Sequence, residues 1–178
     1  MTETDINNNV ISKANHRYLR LFTRSLGYVP NLFATMMHSA NALSCYYPFH
    51  RRNTVFSRRV TEAVILGVSY KNRSRYCTEY HTMIAKLNGL EQVHIEAIVS
   101  GRLPLDQDLQ VIFELVTAMT DTRGVVQQAI VDRFYKRGFT REHLMDLILI
   151  VGDALMTNMI SNVFNIPVDA PLYETQIN

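Results

Sequence analysis

Apolar residues in this chain recur every three or four positions, and no segment sustains the period-two alternation of a half-buried strand. That spacing, with its punctuation, constrains the fold to helices. Ile11, Tyr18, Leu19, Leu21 and Phe22 mark a helix over about 10–24, which Gly27 stops. Pro30 opens a second helical stretch that carries Leu32, Phe33, Met36 and Met37, and after Ser39 the pattern goes on through Leu43, Tyr46, Tyr47 and Phe49 as another short helix or an extension of the same one. Ser57 is a natural N-cap for a helix reaching about residue 70, and 71–73 form a turn. Ser74 caps the next helix, which ends at Asn88-Gly89. Shorter periodic runs at 91–98, 106–119 and 125–137 follow, and Thr140 caps a long last helix to about 165. Beyond Pro167 an extended tail is expected. The pattern predicts an all-α, multi-helix bundle, and with no Pro/Gly/Ser linker it reads as a single domain over 1–178.

Composition narrows the class. With 47% of its 178 residues hydrophobic and 19% charged, the chain is too apolar to stay disordered and has surface to spare for another subunit. A homo-oligomer is expected. The most apolar run, 144–151, is interrupted by Asp146 and followed by Asp153 and Asn158, which argues against a membrane span and a membrane partner. The start of the chain, through Asn7, Asn8 and Asn9, has neither the basic nor the apolar part of a signal peptide, so the expected location is the cytoplasm. A formal charge of +2 gives no reason to expect nucleic acid, and the pairs Arg51-Arg52 and Arg58-Arg59 read as solvated helix ends. Two cysteines, Cys45 and Cys77, cannot form a disulfide scaffold. Cys45 reads as a small buried hydrophobe.

Cys77 stands out by position. In the first turn of a helix, unpaired backbone N–H groups and the positive helix end favour an anionic sulfur, with Arg73 and Arg75 adding positive potential. His81 follows four residues later on the same helix face, where an imidazole can accept or relay the thiol proton. Glu62, set among Ala63, Val64, Ile65 and Leu66, is expected to be partly buried and to need a polar partner, which the helix of Cys77 and His81 offers. The plainer alternatives are an inert buried cysteine, a histidine bonded at a helix junction and a surface glutamate paired with Arg58 or Arg59.

The run Arg59-Val-Thr-Glu62-Ala-Val-Ile-Leu-Gly-Val-Ser69, followed by Asn72-Arg-Ser-Arg-Tyr-Cys77-Thr-Glu-Tyr-His81-Thr82, resembles the core of the alkylhydroperoxidase D and carboxymuconolactone decarboxylase family. That core, at about 57–90 here, carries a glutamate and then Cys-x-x-Cys-x-x-x-His. Gly27-Tyr-Val-Pro-Asn31, Gly138-Phe-Thr140 and the stretch from Asn158 to Pro167 are similar to flanking parts of the peroxidase-related branch. The glutamate, second cysteine and histidine fall on Glu62, Cys77 and His81. Ser74 stands in place of the first cysteine, and Tyr76 in place of a histidine that some members carry between the two.

The resemblance implies an oxidoreductase in which Cys77 attacks a small-molecule hydroperoxide while His81 and Glu62 relay protons, with Ser74 and Tyr76 in support. Without the resolving cysteine, an external thiol or thiol-disulfide reductant would restore Cys77. Two alternatives stay open. One is decarboxylase-like acid–base chemistry on a small carbonyl or lactone, in which Cys77 is dispensable; the other is a non-enzymatic oligomeric member that has lost activity. No cofactor is expected, and no metal, since His38, His50, His94 and His143 lack ligand spacing and Cys77 with His81 supplies only two donors.

Overall fold

The computed structural model describes residues 12–169, and among these it contains helices and no strand. The helices are α1 (Lys13–Leu26), α2 (Asn31–Met36), α3 (Ala42–His50), α4 (Arg58–Lys71), α5 (Arg75–Leu87), α6 (Gln92–Ile98), α7 (Gln107–Thr122), α8 (Gln128–Lys136) and α9 (Arg141–Val163). The architecture is an all-α, multi-helix bundle. Side chains set the helix starts: Ser12, Ser57, Ser74 and Asp106 each accept a backbone N–H from the first turn they precede. Asp106 also meets Arg59 at 3.1 Å, and its backbone bond to Leu109, with Arg59 beside it, holds its carboxyl below the usual range.

Two boundaries differ from the sequence reading. α7 runs past Met119 to Thr122, because Arg123 takes the left-handed conformation and Gly124 closes the end by donating to the Met119 carbonyl. α8 begins only at Gln128, and Val125 before it is exposed. Residues 10–11, where the first helix was expected to begin, and the tail beyond Asp169 lie outside the described residues. Val168 and Asp169, the last described part of that tail, are buried.

The described residues pack as two compact units, one made of those up to Asn53 together with those from Ile160 onward, the other of Thr54–Met159. In the first, Tyr18, Phe22, Phe33 and Tyr47 stack edge and face, the Phe22 and Phe33 rings lying 4.6 Å apart. Asn31 ties the start of α2 to the later chain: its backbone N–H donates to Asp169 at 2.8 Å and its amide to the Pro167 carbonyl. Burial and the Asp169 charge push the nearby Tyr28 hydroxyl up from its ordinary value. Cys45, on α3, is exposed, contrary to the burial expected of it; α3 turns Leu43 and Tyr46 inward instead.

The second unit is organised around α4, which packs into two apolar clusters at once. On one side Val64, Ile65 and Val68 meet Ile112, Leu115 and Val116 of α7, Phe134 of α8 and Leu147, Ile150 and Val151 of α9. On the other, Ala63 and Leu66 meet Ala85 of α5, Ile95 and Ile98 of α6, and Leu109 and Phe113 of α7. α9 is long and apolar enough to cross a membrane by length and composition alone, a test that the core helix of a bundle also passes. Within this unit the same helix buries Asp153, Thr157 and Asn158 alongside its apolar contacts.

Gly67 marks the closest approach of α4 to α7. A Cβ there would lie inside contact distance of Phe113 Cε1 and 2.9 Å from Cζ, and the ring is hemmed in by its cluster. Gly67→Ala is therefore expected to lower stability: overpacking of about 1–3 kcal/mol outweighs the ~1 kcal/mol gain in helix propensity. A lower urea midpoint with unchanged m-value would check it.

Candidate active site

α4 and α5 form a helical hairpin around a turn at 72–74, which lays the two elements side by side. Asn72 caps α4 with its backbone N–H on the Val68 carbonyl, and Arg73 reverses the chain in the left-handed conformation, φ 54°. Ser74 N–H then donates to the Ser69 carbonyl at 3.0 Å. Asn158 of α9 clamps this turn, donating from Nδ2 to Ser69 Oγ at 3.0 Å and accepting from Asn72 Nδ2 at 2.9 Å. The bond to Ser69 is buried and the bond from Asn72 partly so.

Beyond the clamp, Ser74 is fully buried and its Oγ accepts the Cys77 N–H at 3.4 Å, so Cys77 occupies the first turn of α5. Cys77 is 1% exposed. One turn on, His81 Nδ1 lies 2.7 Å from Glu62 Oε2, a contact in which the two side chains are only 12% and 7% exposed. Glu62 is thus held by His81, and Arg59, one of the two arginines that offered an alternative, is engaged by Asp106. Tyr76 is buried and stacks at 6.2 Å on Tyr80, which in turn meets the His81 ring edge-on at 5.4 Å. Tyr80 thus packs against the imidazole, with Tyr76 behind it.

Of the residues singled out from sequence, Glu62 and His81 are in direct contact, Ser74 and Cys77 share a backbone-to-side-chain bond, and Tyr76 reaches the imidazole through Tyr80. The Asn158 clamp escaped the sequence reading. Its only signal there was an amide inside an apolar helical run, which must find a partner if buried. Among the described residues, no three of His, Cys, Asp and Glu converge as a metal site. Chemically, the arrangement offers a sulfur at a helix N-terminus and, one turn away on the same helix, a carboxylate–imidazole pair able to carry a proton.

This bundle is shared with solved proteins. A peroxidase-related protein of Ralstonia eutropha JMP134 with the alkylhydroperoxidase AhpD core superposes with a TM-score of 0.81 at 16% identity, over 88% of this chain and 86% of that one. The fold is that of the alkylhydroperoxidase D core. A peroxidase-related protein of Silicibacter sp. TM1040 gives 0.81 at 20% identity, over 92% and 89% of the two chains. The debrominase Bmp8 gives 0.72 at 12% identity, over 98% and 93%, and a cysteine-to-alanine variant of Bmp8 has been solved with 2,3,4-tribromopyrrole. No protein-family model and no curated protein matches the chain.

Removing one side of the buried pair strands the other. His81→Leu is expected to cost about 1–3 kcal/mol by leaving the Glu62 carboxylate unanswered. The double variant Glu62→Leu/His81→Leu should cost less than the two single changes together, with a coupling of about 0.5–3 kcal/mol in a urea double-mutant cycle. Strict additivity would show that the 2.7 Å contact carries no energy.

Proposed function

We propose that this protein is a thiol-dependent hydroperoxide reductase with a single attacking cysteine. The observation that carries the reading is the Glu62–His81 contact of 2.7 Å one turn from Cys77 at the start of α5. Cys77 as thiolate attacks the terminal oxygen of a hydroperoxide: an S–O bond forms, the O–O bond breaks, and the departing alkoxide takes a proton delivered through His81 and Glu62. The sulfur is left as a sulfenic acid. A first external thiol displaces water from it to give a mixed disulfide, and a second releases Cys77. The sum is one hydroperoxide and two thiols giving an alcohol, water and an external disulfide. A cytoplasmic protein that associates with further copies of itself completes the reading; nucleic acid and membrane are not among its partners.

Similarity to the debrominase supports a second reading with the same residues. A thiolate that takes bromine from a protonated bromopyrrole carbon, followed by attack of an external thiol on the sulfur, would give debrominated pyrrole, bromide and a disulfide. Bromide release from 2,3,4-tribromopyrrole in the presence of thiol separates the two.

One equivalent of an organic hydroperoxide is expected to place an oxygen on Cys77, or a mixed disulfide when thiol is present, as read by peptide mass spectrometry. Cys77→Ser should abolish turnover. Ser74→Cys, which sets a second sulfur at the N-cap, should instead yield an internal disulfide with Cys77. A Cys45–Cys77 disulfide as the main product in the unaltered protein, or full peroxide turnover by Cys77→Ser, would overturn the mechanism.

A further inference from the structure

α1 departs from what a stable surface helix asks of its sequence. Lys13, Arg17, Arg20 and Arg24 follow one another at spacings of four, three and four residues, which sets them in one stripe opposite the buried Asn15, Tyr18 and Phe22. All four are exposed, and α1 has no acidic residue among them. Like charges at these spacings destabilise a helix, and Lys13 stands in the first turn, where the helix dipole disfavours a cation. The imbalance extends through the unit. Asp169 is the sole acidic side chain among the described residues of the first unit, and it is buried against the Asn31 N–H. Thr54–Met159 has as many acidic as basic residues. Every Lys or Arg ion pair between described residues falls there, at Arg59, Lys71, Arg75, Arg133 and Arg137. The α1 stripe thus breaks a local rule with no compensation inside the described chain, the mark of a surface shaped for something else.

We propose that this stripe docks an acidic helical segment of a partner protein. The spacing of the cations is that of a helix, so a second helix lying along α1 with Asp or Glu at the same spacing answers all four over about 16 Å. Three of the four are arginines, whose planar forks match carboxylates. Arg17 is already oriented: its guanidinium lies over the Tyr18 ring, 4.6 Å from the centroid, and donates to the Tyr18 hydroxyl at 2.6 Å. That anchoring reduces the freedom lost on docking.

The shape beside the stripe favours protein over other anions. Arg17, Arg20, Leu21, Arg24 and Ser25 bound an open hollow of about 380 Å³, and Leu21 in it is 42% exposed. A protein segment offers an apolar side chain for that hollow between its carboxylates, whereas a phosphate backbone answers the cations and leaves Leu21 without a counterpart. Lipid is the poorer fit as well. A membrane-surface helix inserts its apolar side, and that side of α1, with Tyr18 and Phe22, is spent on the aromatic cluster.

The inference is independent of the thiol chemistry. Fluorescence anisotropy of the full chain with a labelled helical peptide, carrying Glu at spacings of four, three and four and a leucine beside them, should show saturable binding that weakens as salt rises. A peptide of the same composition with its glutamates consecutive should bind at least roughly tenfold more weakly, since its charges leave the register of the stripe. Arg17→Glu/Arg20→Glu/Arg24→Glu should lower affinity about a hundredfold by setting like charges face to face, with helical circular dichroism unchanged. A peptide with Lys in place of Glu should bind that variant and not the unaltered protein; this reversal separates a lost contact from a misfolded chain. Lys13→Glu should raise the urea midpoint while weakening the peptide, as expected where stability has been given up for a contact. No binding at about 0.1 mM peptide, equal binding of the two glutamate peptides, or a Lys13→Glu chain that is less stable overturns the proposal. Tighter binding of single-stranded oligouridylate, or binding of phosphatidylserine vesicles alone, assigns the stripe to nucleic acid or lipid and also overturns it.

Discussion

A carboxylate on an enclosed helix needs an internal partner, and much of the second unit is arranged around that requirement. α4 is covered by α7, α8 and α9 on one side and by α5, α6 and α7 on the other, which buries nearly every side chain from Glu62 to Ser69. Water cannot solvate the Glu62 carboxylate there at little cost. His81 meets it because the hairpin brings the middle of α5 beside the first half of α4. The contact belongs both to the packing of the pair and to the chemistry proposed for it.

The turn between the helices sets where the sulfur stands. Asn158 binds both Ser69 and Asn72, Arg73 accepts a left-handed backbone, and Ser74 is held by the Ser69 carbonyl before it caps α5. Each bond fixes the next, so the first turn of α5, and Cys77 within it, is positioned from α4 and α9 together. A serine at 74 is well suited to this, since its oxygen is a stronger acceptor for the Cys77 N–H than a thiol would be.

Local chemistry made the helices and much of the site legible. Ser57 and Ser74 cap as their side chains dictate, Cys77 falls in a first turn, and Glu62 among aliphatic neighbours points to burial. What escaped depends on partners far along the chain. Nothing near Asn158 indicates that its amide meets Ser69 and Asn72, more than eighty residues earlier. The exposure of Cys45 follows from Leu43 and Tyr46 winning the inward face of α3, a competition that composition does not display. α9 passes for a membrane span by composition for a related reason: Met145, Ile148, Met156 and Met159 are exposed, while Asp153, Thr157 and Asn158 are turned into the protein, the reverse of the usual amphipathic pattern.

That pattern bears on how the chain is made. By length and composition α9 could pass for a membrane-crossing segment. Its counter-signal lies in the order of synthesis. Val64, Ile112, Leu115 and Phe134, which receive Leu147 and Ile150, are all translated beforehand, so the docking surface exists when α9 emerges. The elements encoded upstream therefore give α9 a protein surface to pack on as soon as it is complete.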